Sequence, residues 1–313
     1  NAAAQRVLSI AKALLDNCDV KFLGLTLGNN HVGKVAGFEY KNLPYPSTKK
    51  EWLAHLAGSR ELEYVKKEKP DVVIGTGGYV TAPLILAGLR SKIPTVIHES
   101  NALPGKTTIW LSRKVDLIAL GFEDAKRHLQ HAKNAIFTGN PTNINNLLSK
   151  KDAKEKLGIK GKLLLVFGGS QGAKKINDIF TGLINEDKLQ DFDVIYATGN
   201  NNYDEVISKV KNKKDNIKIE KYIYNMNEVM RAADLVVCRS GALTITEIGI
   251  IGVPSILIPF PYAAENHQYF NAKTLEEVGA GIVIEEKNLT QDLLENKINE
   301  KKKINIIFFL RYK

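Results

Sequence analysis

Short runs made almost wholly of Val, Ile and Leu punctuate this chain, separated by longer stretches whose apolar residues recur at helical spacing. The runs are DVVIG at 71–75, TVIH at 95–98, KLLLVF at 162–167, DVIYAT at 193–198, DLVVC at 234–238 and SILIP at 255–259. Strands apolar on both faces belong in sheets covered on both sides, and helical segments between them predict parallel pairing. The fold class read from this pattern is α/β.

An internal comparison sharpens the picture. PDVVIGTGGYVTAPLILAGLRSKIPTVIHESN begins at Pro70, and ADLVVCRSGALTITEIGIIGVPSILIPFPYAAEN begins at Ala233. Each runs from an Asp through a strand, a small-residue turn, an apolar helix, an Ile/Val-Pro step, a second strand and a polar loop ending in Asn. Such a pseudo-repeat predicts two Rossmann-like domains in tandem, residues 1–140 and 141–313, with the linker in 139–158. Ligands of open parallel sheets collect at the carboxyl ends of the strands, so two such domains would enclose a cleft lined by these loops.

Composition narrows the class without choosing a function. The 313 residues carry 25% charged and 44% hydrophobic side chains, ordinary for a soluble globular protein. No run approaches the roughly 20 apolar residues of a membrane span, and residues 1–15 lack the pattern of a secretory signal. The two cysteines, Cys18 and Cys238, stand far apart and read as reduced thiols. A net charge of +10 attracts polyanions in general, whether phosphorylated substrate, anionic lipid or nucleic acid. The basic residues are dispersed and form no nucleic-acid motif, which makes nucleic acid a poor partner.

The strand-end loops carry the candidate chemistry. GGSQG at 168–172 matches neither the dinucleotide nor the P-loop fingerprint. Its glycines allow close backbone approach, Ser170 offers a hydroxyl, and the helix that follows presents N–H groups to an anion such as a diphosphate. The same glycines would equally serve to pack helix against strand. RSGALTITE at 239–247 is built alike, and Glu247 either satisfies the helix dipole or accepts hydroxyl hydrogen bonds from a ribose. His267 and Gln268 stand at the next helix start, where Gln268 has a donor and an acceptor for sugar hydroxyls. His98 and Glu99, in HESN at 98–101, are acid–base candidates or structural groups. No acidic pair offers itself as a metal ligand.

Together, GTGGYVTAPLILAGLRSKIPTVIHESNALPGKT, VFGGSQGAKKIN and VCRSGALTITEIGIIGVPSILIPFPYAAENHQYFNA closely resemble the bacterial MurG family of peptidoglycan glycosyltransferases. The resemblance runs from about Leu8 to about Glu286. It implies the two-Rossmann glycosyltransferase-B fold and inverting transfer of N-acetylglucosamine from UDP-N-acetylglucosamine to the C4 hydroxyl of lipid I, with no further cofactor. By the same resemblance Ser170, Gln171 and Gly172 face the diphosphate. Ile223 falls at the uracil, Ala242, Leu243, Thr244 and Glu247 hold ribose and phosphate, Gln268 with His267 contacts the sugar, and Asn101 reaches it from the other domain. The family works at the cytoplasmic face of the bacterial cell membrane.

Two departures from the family pattern affect these expectations. The family's opening GGTGGH loop, with a histidine that is a leading general-base candidate, has no counterpart in NAAAQR, and Asn143 stands where the family has arginine. The ending NEKKKINIIFFLRYK also differs. These predict a chain that binds the donor better than it turns it over. Trp52 with Leu53, and Trp110, have cations close by in Lys49, Lys50 and Arg113. They read as an anionic-membrane contact or as core residues. The alternatives to MurG-type transfer are a non-catalytic UDP-sugar-binding fragment and another glycosyltransferase-B or UDP-sugar 2-epimerase relative.

Overall fold

The computed structural model describes residue 10 and residues 19–26, 31–35, 38–44, 48–142, 144 and 147–300. The calls on the first six residues, Cys18, Asn143 and the chain end beyond 300 lie outside them. The chain divides between residues 143 and 144 into two compact units.

In the first unit, β1 (Lys21–Thr26), β2 (His31–Val35) and β3 (Phe38–Pro44) form a three-stranded sheet, order β1-β3-β2. β2 runs antiparallel to β3, a departure from the all-parallel expectation. After α1 (Lys49–Leu56) and α2 (Ser59–Glu68) comes a four-stranded parallel sheet. Its strands β4 (Val73–Gly75), β5 (Thr95–Glu99), β6 (Leu117–Leu120) and β7 (Ala135–Phe137) lie in chain order. The helix α3 (Thr81–Arg90) crosses from β4 to β5, and α4 (Lys106–Leu111) follows β5. Ile85, Ile97, Leu111, Ile118 and Leu120 fill the core between helices and sheet.

The second unit opens with α5 (Lys150–Lys156), whose first turn Ser149 caps by accepting from the Asp152 N–H. It is built on a six-stranded, wholly parallel sheet in the order β10-β9-β8-β11-β12-β13. The strands are β8 (Lys162–Phe167), β9 (Phe192–Ala197), β10 (Ile217–Glu220), β11 (Leu235–Cys238), β12 (Ser255–Leu257) and β13 (Gly281–Val283). Five consecutive positions of β8 and all four of β11 are buried, which is why these central strands read as unbroken apolar runs. Edge strand β10 alternates buried and open positions instead. Crossovers run through α6 (Lys174–Asn185), α7 (Tyr203–Lys209), α8 (Met226–Ala232), α9 (Ala242–Ile251) and α10 (His267–Glu276), with α11 (Gln291–Asn299) after β13.

The pseudo-repeat becomes two equivalent units, β4-α3-β5 and β11-α9-β12, each a parallel pair with its crossover helix. Cys238 ends β11 fully buried, where desolvation pushes its thiol up.

Candidate functional site

In the second unit, the residues selected from the loops gather at the carboxyl ends of β8, β10, β11 and β12. After β8 the chain turns through 168–173 into α6. Gly169 and Gly172 adopt φ of 90° and 82°, conformations that side chains disfavour. A Cβ on Gly172 would lie 2.2 Å from the Thr198 carbonyl oxygen. The loop after β9 grips this turn: Asn202 Nδ2 donates to Gln171 O at 2.9 Å, and Asn201 Nδ2 donates to Gln171 Oε1 at 2.9 Å. Below, Tyr196 OH donates to Asn177 Oδ1, and Asn177 Nδ2 donates to Thr198 O. Ser170 and Gln171 are exposed.

No side chain caps α6, and its first turn holds Lys174 and no acid. A cation at the positive end of a helix dipole is unfavourable by itself and suits a site that receives an anion. The asparagines of TGNNN at 198–202 were missed from sequence, although a polar run directly after a strand signals a strand-end loop.

The second loop is braced from beneath. Gly241 leads into α9 without a side-chain cap, so the helix again presents its N–H groups. Ala242 is buried, while Leu243, Thr244 and Glu247 are half-buried. Glu247 has no hydrogen-bond partner among the described residues, and burial pushes its carboxyl up to about 7. Arg239 donates to Ile258 O and Pro259 O at 3.2 and 3.1 Å, pairs with Glu286 and lies 5.4 Å from the Phe260 ring centroid. Ile223 follows β10 with its side chain buried, leaving main chain for any base contact. His267 Nδ1 lies 2.7 Å from Ala264 O, and Gln268 ties the loops after β11 and β12 together.

In the first unit, Glu99 takes the second of its two expected roles, that of a structural group supporting its loop. Its Oε1 accepts from Asn101 N and Nδ2 at 3.0 and 3.3 Å, and its Oε2 accepts from Gly105 N and Thr108 Oγ1 at 3.1 and 2.6 Å. A buried carboxylate with four donors is an anchor for loop 100–108, and it holds Asn101 in place. His98 is buried too, with Nε2 3.3 Å from Gly139 O. Asn140, also missed from sequence, donates from Nδ2 to Ser100 O at 3.0 Å.

Trp110 is 51% exposed and Ile109 42%, so Trp110 is a surface residue and not a core one. Lys114 Nζ stands 4.5 Å from the Trp110 ring centroid. Beside them is a cavity of about 570 Å³ lined by Arg113, Arg127, His128 and His131 among others. Lys50 is exposed on α1; the side chains of Lys49, Trp52 and Leu53 lie outside the described residues. Among the described residues no helix is long and apolar enough to cross a membrane.

The sequence matches the glycosyltransferase family 28 N-terminal domain over residues 7–120 and its C-terminal domain over residues 163–304. A protein of Acetivibrio thermocellus is 45% identical over 271 residues, covering 85% of this chain and 73% of its own. Its name is UDP-N-acetylglucosamine–N-acetylmuramyl-(pentapeptide) pyrophosphoryl-undecaprenol N-acetylglucosamine transferase. The chain belongs to the MurG family. A Caldanaerobacter subterraneus relative of the same name is 43% identical, covering 85% of this chain and 74% of its own. The crystal structure of Acinetobacter baumannii MurG superposes with a TM-score of 0.76 at 25% identity, covering 98% of this chain and 88% of that one. MurG membership thus accounts for the two units as the two domains of a glycosyltransferase-B fold.

Proposed function

We propose that this chain transfers N-acetylglucosamine from UDP-N-acetylglucosamine to lipid I, the undecaprenyl-pyrophosphoryl-muramyl-pentapeptide. The observation that carries the reading is the kinship with transferases of that name over most of both chains. The two uncapped helix starts beside the glycine turns of the second unit support it. UDP-N-acetylglucosamine enters as a substrate, and the reading calls for no cofactor.

In this reading the N–H groups around Ser170, Gln171 and Gly172 meet the diphosphate and stabilise the charge that grows on it as UDP departs. Ile223 offers main chain to uracil. Ala242, Leu243 and Thr244 line the ribose and phosphate, and Glu247 accepts from the ribose hydroxyls. Gln268 and His267 meet the hexose. In the first unit, Glu99 holds Asn101 in place within its own loop. The acceptor C4 hydroxyl attacks the anomeric carbon with inversion, and no described residue is assigned as its base.

The acceptor is a membrane lipid, so the enzyme works from the bilayer surface. Ile109 and Trp110, with Arg113 and Lys114 beside them, form the contact with anionic lipid at the cytoplasmic face. Apolar anchors ringed by cations suit the headgroup boundary. Incubating the purified chain with UDP-N-acetylglucosamine and a lipid I analogue tests the function. The disaccharide lipid and UDP are the expected products in equal amounts; UDP release without disaccharide, or no turnover of either, would contradict it.

A further inference from the structure

Asn202 stands at the N-cap position of α7, where a short polar side chain ordinarily accepts from the first N–H groups of its own helix. It makes no such cap here. Its Nδ2 reaches the neighbouring strand-end loop instead and donates to Gln171 O at 2.9 Å. A carbonyl can only accept, so it is the nitrogen of the amide that faces it. A residue with good capping chemistry is thus engaged by another loop and not by the helix it opens. Gly199, at φ 86°, lets the two loops touch, since a Cβ there would lie 2.1 Å from Gly172 N.

Three successive carbonyls of the turn after β8 are occupied. Gly169 O accepts from the Gly172 N–H at 2.9 Å, Ser170 O from the Asn200 N–H at 3.3 Å, and Gln171 O from Asn202. In a planar trans peptide the carbonyl and the following N–H point in opposite directions. With Gly169 O and Ser170 O turned toward their donors, the N–H groups of Ser170 and Gln171 face the other way. Neither N–H has a hydrogen-bond partner among the described residues, and both residues are exposed. The plane between Gln171 and Gly172 is the one most able to turn over, because glycine accepts φ of either sign. Turned over, it would aim Gln171 O toward the side on which those N–H groups lie. Asn202 holds it from outside the turn.

We propose that Asn202 is a positioning residue that locks the polarity of the 169–172 turn. It keeps the Gln171 carbonyl off the diphosphate of the donor and leaves the Ser170 and Gln171 N–H groups to meet it. The inference rests on the reading that this turn receives the diphosphate of a UDP-sugar. An oriented carbonyl opposes an anion as surely as an oriented N–H favours it, so the lock acts on the phosphates and not on the nucleoside.

Two variants test it, with UDP and uridine affinities measured by ligand-observed NMR and Tm by thermal unfolding. Asn202→Ser is neutral and able to cap α7, but its side chain is one atom shorter and does not span to Gln171 O. Asn202→Asp keeps the shape and the capping ability and replaces the donor by an acceptor. Both are expected to keep Tm within a few degrees, capping of α7 offsetting the lost contact. UDP affinity is expected to fall about fivefold in Asn202→Ser and more than tenfold in Asn202→Asp, with uridine affinity within about twofold in each. Equal losses of UDP and uridine affinity would mark Asn202 as merely structural and overturn the proposal. So would a loss confined to Asn202→Asp, which is charge repulsion alone. Normal UDP binding by the unaltered chain and both variants defeats the inference and spares the reading beneath it; failure of the unaltered chain to bind UDP defeats both.

Discussion

Glu247 sits in the second turn of α9, and burial raises its carboxyl to about 7. The folded state then holds a proton that the unfolded chain releases above about 4.5. Stability from this group is therefore greatest in acid and falls as pH rises through 7. Glu247→Gln should raise Tm by a few degrees at pH 8 and change it little at pH 5. Ribose hydroxyls that donate to the carboxylate favour its charged form. UDP should accordingly bind more tightly at pH 8 than at pH 6, with proton release visible as a buffer-dependent enthalpy; a flat profile would remove Glu247 from the site. Glu99 is tested differently. Glu99→Ala frees four donors in loop 100–108, so transfer should fall about tenfold or more while UDP affinity in the second unit stays unchanged. Glu247 was legible in the sequence as a lone acid within an apolar helix. The role of Glu99 was not, because its donors come from residues 101, 105 and 108, which meet it only once the loop has closed.

At the scale of elements, α5 is fastened to the second sheet through Asp234. Lys150 and Lys154 reach its carboxylate at 2.8 and 2.6 Å, and the Leu163 N–H donates to it at 2.7 Å. Desolvation raises this carboxyl, but the two lysines and the N–H outweigh it and hold it at about 2. A depressed carboxylate pKa contributes stability above the unfolded value of 3.8 and loses it as pH falls through 2. Asp234→Asn should cost about 1–2 kcal/mol in urea unfolding at pH 7, with the penalty shrinking between pH 4 and 2. The strands of both βαβ repeats were legible because buried parallel strands are apolar at every position. β2 was not, since HVGKV offers neither an unbroken apolar run nor a turn signal that fixes its direction. Asp234 itself appears in the sequence only as the residue before a strand; its lysines lie about 80 positions away.

For the whole molecule, two claims extend beyond any one loop: attachment to a membrane surface and binding of a uridine diphosphate in the second unit. The net charge of +10 supports the first only in general terms, whereas exposed Trp110 with Lys114 beside it gives it a location. Replacing Trp110 and Arg113 together by Ser should reduce pelleting with phosphatidylglycerol vesicles several-fold at low salt. Pelleting with neutral vesicles should stay low throughout, and an unchanged anionic result would move the contact elsewhere. The candidate turns of the second claim were legible as glycines between a strand and a helix, where backbone can be approached closely. The asparagine and arginine braces behind those turns were hidden, being assembled from separate crossovers.

Amide hydrogen exchange of the full chain with and without UDP tests the account most directly. Slower exchange in 169–174 and 240–245 is predicted, with the first unit's 76–80 and 100–108 little changed by UDP alone. Protection confined to the first unit, or none at saturating UDP, would contradict it.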